Sequence, residues 1–207
     1  MAITFVAAGA IVTGANPTVP VPAGYAAGDL LLLVVSSSAT PSTPAGWVRY
    51  YTQLFGTSRI TVLYKTASAS ESAVALTLTG GTAKSVMVAY RGVNTFDSIA
   101  TGSSGTGTSL PTNTLVTTVA NDFVLSIYGT DATSNASWTI PASTTSRVDS
   151  AVTTAFRGLL IVDELQAGAG TSTSRTATLS ASNAWSTIAF SLKPVIDNSG
   201  SFLQFFY

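Results

Sequence analysis

The sequence predicts an all-β protein, a jelly-roll-like β-sandwich built from two sequence-related halves and followed by a short extended C-terminal tail. Three observations carry this expectation. The stretch Gly28-Asp29-Leu30-Leu31-Leu32-Leu33-Val34-Val35 is echoed by Asn121-Asp122-Phe123-Val124-Leu125-Ser126-Ile127-Tyr128. In each, a polar pair opens a short apolar run that gives way to Ser, Thr, Ala and Gly before a tryptophan, Trp47 or Trp138. Strand-like segments then succeed one another at short spacing, with turn formers between them and no amphipathic helix, the pattern of sandwiches and barrels. Finally, the chain is 46% hydrophobic but only 9% charged. Its polar residues are mainly Ser and Thr, which suit strands and turns better than helices.

Ile3 and Phe5 alternate with Ala2, Thr4 and Val6, the mark of a first strand. No basic residue precedes Arg49, so the N-terminus lacks the positive region of a signal peptide, and a soluble, unprocessed protein is expected. Prolines 17, 20 and 22 bar the next segment from a central ladder and predict an edge strand or extended crossing. The run Leu30 to Val35 shows no alternation, which fits a strand covered on both faces, and it is far too short to span a bilayer. A Pro- and Ser-rich loop leads to an aromatic strand from Trp47 to Phe55. Strands over Arg59–Lys65, Val74–Thr79 and Lys84–Val93 follow, the last two joined by Gly80-Gly81.

Residues 94–118 read as a Ser/Thr/Gly-rich connection between the half-motifs, which span about 25–93 and 119–194. In the second half, Phe156–Asp163 matches Arg59–Lys65, and Thr176–Ser180 matches Val74–Thr79. Val86, Val88 and Tyr90 match Ile188, Phe190 and Leu192 in period two, so each half presents one apolar face. One sandwich domain over 1–194 is therefore expected, with each half contributing strands to both sheets. Residues 195–207 form a separate tail: a polar spacer, then Phe202-Leu203-Gln204-Phe205-Phe206-Tyr207. This adhesive segment has two readings. It folds back onto its own sandwich, or it docks on a neighbouring subunit or scaffold, the reading preferred here because the spacer gives reach.

Several chemistries are excluded by composition. With no Cys and no His, the chain has no disulfides, no thiolate or histidine-based catalysis and no Cys/His zinc site. Nine basic residues against nine acidic give no net charge, and no basic face for nucleic acid. The acidic residues show neither the spacing of a calcium loop nor a convincing catalytic pair, so no metal, cofactor or catalytic residue is expected. Asp29 and Asp122, at equivalent strand starts, read as turn caps. The binding candidates are the tail residues Phe202, Leu203, Phe205, Phe206 and Tyr207 for a protein partner, and alternatively Trp47, Tyr50 and Trp138 as glycan-stacking platforms, although the matched positions of the two tryptophans suggest packing.

The phrase Ala27-Gly28-Asp29-Leu30-Leu31-Leu32, the loop ending Pro44-Ala45-Gly46-Trp47, and Ala89-Tyr90-Arg91-Gly92-Val93 together resemble a tailed-bacteriophage virion protein family. Ala177-Thr178-Leu179-Ser180 and Phe190-Ser191-Leu192-Lys193-Pro194 are similar to its closing strands; the second half departs from it where Pro141-Ala142-Ser143 follows Trp138. The resemblance implies a non-enzymatic structural component. The expected role is a capsid decoration (cement) protein on the outer surface of the virion, made in the host cytoplasm. It would contact the major capsid protein and further copies of itself, as a homotrimer or other homo-oligomer, without nucleic-acid or membrane partners. The alternative it implies is a tail or fibre module that binds receptor glycans.

Overall fold

A strand without alternation needs cover on both faces, and the run from Leu30 to Val35 has it. In the computed structural model, which describes residues 1–195, Leu30, Leu32 and Val34 face a second sheet across the main core. Leu31, Leu33 and Val35 lie on the opposite face, under Val19, Trp47, Leu76 and Leu78 from the surrounding loops.

The first part of the chain forms β1 (Thr4–Ala8), β2 (Val12–Gly14), β3 (Thr18–Val19), β4 (Leu30–Ser37), β5 (Val48–Phe55), β6 (Ser58–Thr66), β7 (Val74–Ala75) and β8 (Ala83–Arg91). The second forms β9 (Val93–Ile99), β10 (Ser103–Pro111), β11 (Val116–Thr117), β12 (Asp122–Thr130), β13 (Trp138–Thr139), β14 (Thr145–Ser150), β15 (Leu159–Gln166), β16 (Gly170–Thr171) and β17 (Thr176–Pro194). One sheet has the order β1-β8-β4-β6-β5, with β2 also on β8; the other runs β10-β17-β12-β15-β14, with β9 and β13 also on β17. Small ladders β3-β7 and β11-β16 complete the repeat. All pairings are antiparallel.

The two halves share the antiparallel order of their four main strands, β8-β4-β6-β5 in the first and β17-β12-β15-β14 in the second. The runs singled out in the sequence are the middle strands β4 and β12. Leu30, Leu32 and Val34 pair with Tyr90, Val88 and Val86; Phe123, Leu125 and Ile127 pair with Leu192, Phe190 and Ile188. All twelve side chains border the inter-sheet core. The sandwich of two related halves is thus present, but the expected sharing of strands is not. Each half builds one whole sheet, and the core closes by packing one half on the other. A period-two pattern states which face of a strand is apolar without stating which sheet lies opposite.

The second correction concerns residues 94–118. The Ser/Thr/Gly-rich stretch read as a connection contains β9 and β10, both laid along β17. Its residues lack an apolar period because strand formation here rests on ladder bonds to an existing edge and on close approach rather than on propensity. Gly105 illustrates the point: a Cβ there would sit 2.8 Å from Cζ2 of Trp185, so only the bare backbone leaves room for the indole. β14 was likewise without a clear signal in the sequence. The chain passes between sheets at Gly92, where φ is +77° and a Cβ would meet the Ala2 carbonyl oxygen at 2.6 Å. Glycine meets both demands.

Polar groups tie the sheets together inside the core. Tyr90, fully buried on β8, donates its hydroxyl to Oδ2 of Asp163 on β15 at 2.8 Å. Arg147 on β14 donates to the same oxygen at 2.7 Å and lies 4.6 Å from the Phe5 ring centroid. A buried carboxylate is tolerated when it is paired and hydrogen-bonded. On the first sheet, Lys84 reaches across to the Ala151 carbonyl at 2.7 Å.

Candidate functional site

The expected glycan platforms are packing residues. Trp47 and Trp138 are 8% and 9% exposed; each covers the outward face of its own sheet, as their matched sequence positions suggested. The Trp138 indole N–H is also occupied, donating to the Ser150 carbonyl at 3.0 Å. Tyr50 stacks on Phe96 with ring centroids 3.9 Å apart and meets Phe190 edge-on at 5.3 Å, bridging the two sheets. Burial, with a smaller contribution from Tyr64, pushes its hydroxyl up to about 12. Stacking on a sugar needs an open ring face, which neither tryptophan offers. The tail residues Phe202, Leu203, Phe205, Phe206 and Tyr207 lie outside the described residues.

The structure directs attention instead to the end of the sandwich where β4, β12 and β1 begin and β8, β15 and β17 finish. A groove of about 520 Å³ opens there, lined by Met1, Ala2, Ile3, Ala120, Asn121, Leu165, Pro194 and Val195. Leu165 shares strand parity with the core residues Leu159 and Ile161, yet is 57% exposed. It lies one step beyond the cover that the opposite sheet provides. Met1 and Val195 are exposed beside it, at 71% and 41%. The rim is pinned by hydrogen bonds. The Val195 N–H donates to Gly92 at 2.9 Å, and the Val195 carbonyl accepts from the N-terminal ammonium at 2.7 Å.

Just inside the same end lies a pair of duplicated acidic positions that have diverged. In the first half, Asp29 accepts from the Ala26 N–H at 2.7 Å and from Arg91 Nε and Nη2 at 2.9 and 2.8 Å. It is the expected turn cap, and the hydrogen bonds from Arg91 hold it below the usual carboxylate range. The equivalent positions in the second half are Asp122 and Lys193. Here the cation goes elsewhere: Lys193 Nζ lies 2.8 Å from Asp97 on β9 and donates to Thr118 at 3.0 Å. Thr118 also donates its N–H to Asp97 at 2.5 Å.

Asp122 is left fully buried, and neither of its carboxyl oxygens accepts a well-formed hydrogen bond among the described residues, while Asp97 and Ser191 lie beside it. Burial, and then the neighbouring Asp97 carboxylate, push it up to about 7. Burial alone would raise Asp97 too, but the bonds from Lys193 and Thr118 hold it well below its usual value. Two neighbouring carboxyls driven apart in this way share one proton, with the neutral acid able to donate to the charged one. A raised carboxyl is a functional signal only when a substrate can reach it. Asp122 has no exposed surface, so its proton belongs to the fold. Asp97 and Asp122 were both visible as acids in the sequence. Their proximity was not, because Asp97 lies in the stretch read as a connection.

Among the described residues, no group of three or more acidic side chains is placed to hold a metal ion, and no helix is long and apolar enough to cross a membrane. No family model, curated protein or solved structure matches the chain.

Proposed function

We propose that this chain is a non-enzymatic structural subunit of a tailed-phage virion, a capsid decoration protein that stabilises the head by contacting the major capsid protein and neighbouring copies of itself. The observation that carries the reading is the distribution of apolar surface. The chain's own loops around Trp47 and Trp138 cover much of the outward faces of both sheets, while Met1, Leu165 and Val195, three of the ten exposed large hydrophobic residues among the described residues, stand together around one end groove. An apolar patch within a polar surface is the usual form of a protein contact site. Zero net charge removes the long-range repulsion that keeps free monomers apart, which suits a subunit packed among copies. The strand and turn motifs that resemble virion proteins, among them Ala27–Leu32 and Ala89–Val93, point the same way.

Electron microscopy of intact particles of the encoding virus, with the protein located by antibody or density, tests this reading. Many copies distributed over the shell support it. A few copies at the tail tip support the receptor-binding alternative, and absence from the particle overturns both.

A further inference from the structure

We propose that the side chains of Lys193 and Asp97 join in an isopeptide bond once the chain has folded, with Asp122 carrying the protons, so that β9 becomes covalently tied to β17. The proposal concerns the folded chain alone and stands apart from the virion reading.

Three things that amide formation needs meet at this one place. The first is a nucleophile held on its target. Lys193 Nζ lies 2.8 Å from Oδ1 of Asp97, close to the separation of about 3–3.5 Å from the carboxyl carbon at which an amine attacks. The two residues stand on paired strands, so the backbone ladder holds them together. The second is a polarised carboxyl. Thr118 donates its N–H to Oδ2 of Asp97 at 2.5 Å and its hydroxyl to Oδ1, placing donors where negative charge grows as the carbon becomes tetrahedral. The third is a proton source kept from water. Asp122 is fully buried beside Asp97, neither of its oxygens is in a well-formed hydrogen bond, and it holds a proton near neutral pH. No outside substrate reaches Asp122; the group it can serve is Asp97 of the same chain. The Asp97 side chain is itself only 2% exposed.

The first half shows the same place without this chemistry. Arg91 stands where the second half has Lys193, and Asp29 where it has Asp122. Guanidinium and carboxylate form a two-bonded pair that satisfies both. A guanidinium stays protonated and is no nucleophile, whereas an ammonium can give up a proton. The second half puts Lys in place of Arg, adds an acid on β9 and leaves Asp122 beside the pair with its proton.

The step balances without an oxidant or co-reactant. Lys193 passes a proton to Asp97 across their contact, which leaves a neutral amine and a neutral acid. Nζ attacks Cγ, and Asp122 protonates the oxygen on which charge develops. The Asp122 carboxylate then takes a proton from the nitrogen and delivers it to a hydroxyl, which leaves as water as its Cγ–O bond breaks. The remaining hydroxyl proton returns to Asp122. One ammonium and one carboxylate have become one amide and one water. Condensation of this kind is unfavourable between free groups in water, but a fixed pair reacts at an effective molarity of about 10⁵–10⁸ M. Freshly folded protein carries the ion pair, and Asp122 stays buried after closure, so the main cause of its raised value persists.

Intact-mass spectrometry of the full chain reads the bond directly. The chain is purified in urea, refolded at micromolar concentration and sampled over days. The expected result is a mass lower by one water, with a digest that yields a branched peptide joining Lys193 to Asp97. Lys193→Arg, which copies the cation of the first half, should keep its full mass, and Asp97→Asn should lose ammonia in place of water. Asp122→Asn should fold with the natural strand signal in circular dichroism yet close about a hundredfold or more slowly. A natural chain that keeps its full mass overturns the bond. So does a water loss without the branched peptide, the mark of a cyclic imide at Asp97-Ser98. Equal rates for the natural chain and Asp122→Asn overturn the part given to Asp122.

Discussion

Replacing Asp122 by Asn leaves the shape of the buried site almost unchanged and removes its proton. With the Asp122 carboxyl raised to about 7 from an ordinary 3.8, the folded state binds a proton that the unfolded chain releases. A raised acid contributes stability that is fully present below the unfolded value and is lost as pH rises through the folded one. At 1.36 kcal/mol per pK unit the whole effect is on the order of 4 kcal/mol. Somewhat more than half of it, on the order of 2–3 kcal/mol, falls between pH 5 and pH 8. The background is quiet through most of that window, with Lys84 adding a small opposing rise only near pH 8. The chain has no histidine, and the carboxyls held low by partners, Asp29, Glu71 and Asp97, exert their effect at more acidic pH. Urea unfolding followed by tryptophan fluorescence at pH 5, 6, 7 and 8 should therefore show the natural protein losing stability steadily. At an m-value of about 2 kcal/mol/M the midpoint falls by roughly 1 M. Asp122→Asn, whose amide can still donate to Asp97, should already exceed the natural protein at pH 5 by roughly 1–2 kcal/mol, exceed it by on the order of 4 kcal/mol at pH 8, and lack the slope. A flat profile for the natural protein, or the same slope in the variant, would refute the shared-proton assignment.

Three further expectations follow from named contacts. Tyr90→Phe removes one of the two donors to the buried Oδ2 of Asp163 and should cost about 1–3 kcal/mol. Chemical denaturation measures it, and a change under about 0.5 kcal/mol contradicts the role given to this cross-sheet bond. Gly105→Ala drives a Cβ into the Trp185 ring. A loss of about 1–3 kcal/mol with altered tryptophan emission is expected, and an unperturbed spectrum at natural stability argues against the placement of β10. Burial lowers Lys84 to about 8, so the folded state releases a proton that the unfolded chain keeps. Stability from this group is lost as pH falls through that value and regained toward pH 10.5. Lys84→Met should flatten the profile between pH 8 and pH 10, and an unchanged rise there rejects the assignment.

The legible parts of the fold were those in which one strand carries its own information. Leu30 to Val35 declared a strand covered on both sides, and it has core on both. The alternation at Val86, Val88 and Tyr90, and again at Ile188, Phe190 and Leu192, marked the residues that line the inter-sheet core. The equivalence of Trp47 and Trp138 foretold their shared burial, which removed the two rings as sugar platforms.

By itself, then, the sequence determined strand identity, the apolar face of each strand and the duplication, because all three are local properties of a period-two chain. Tertiary structure alone decided that each half closes into its own sheet, since the partner of an apolar face is chosen by long-range packing. It also turned Ser/Thr/Gly segments into β9 and β10 by offering them the edge of β17. That same pairing brought Asp97 to Lys193 and left Asp122 without the ion pair that Asp29 keeps. Two halves that read as copies thus differ in electrostatics, because a charge responds to whatever the fold places beside it.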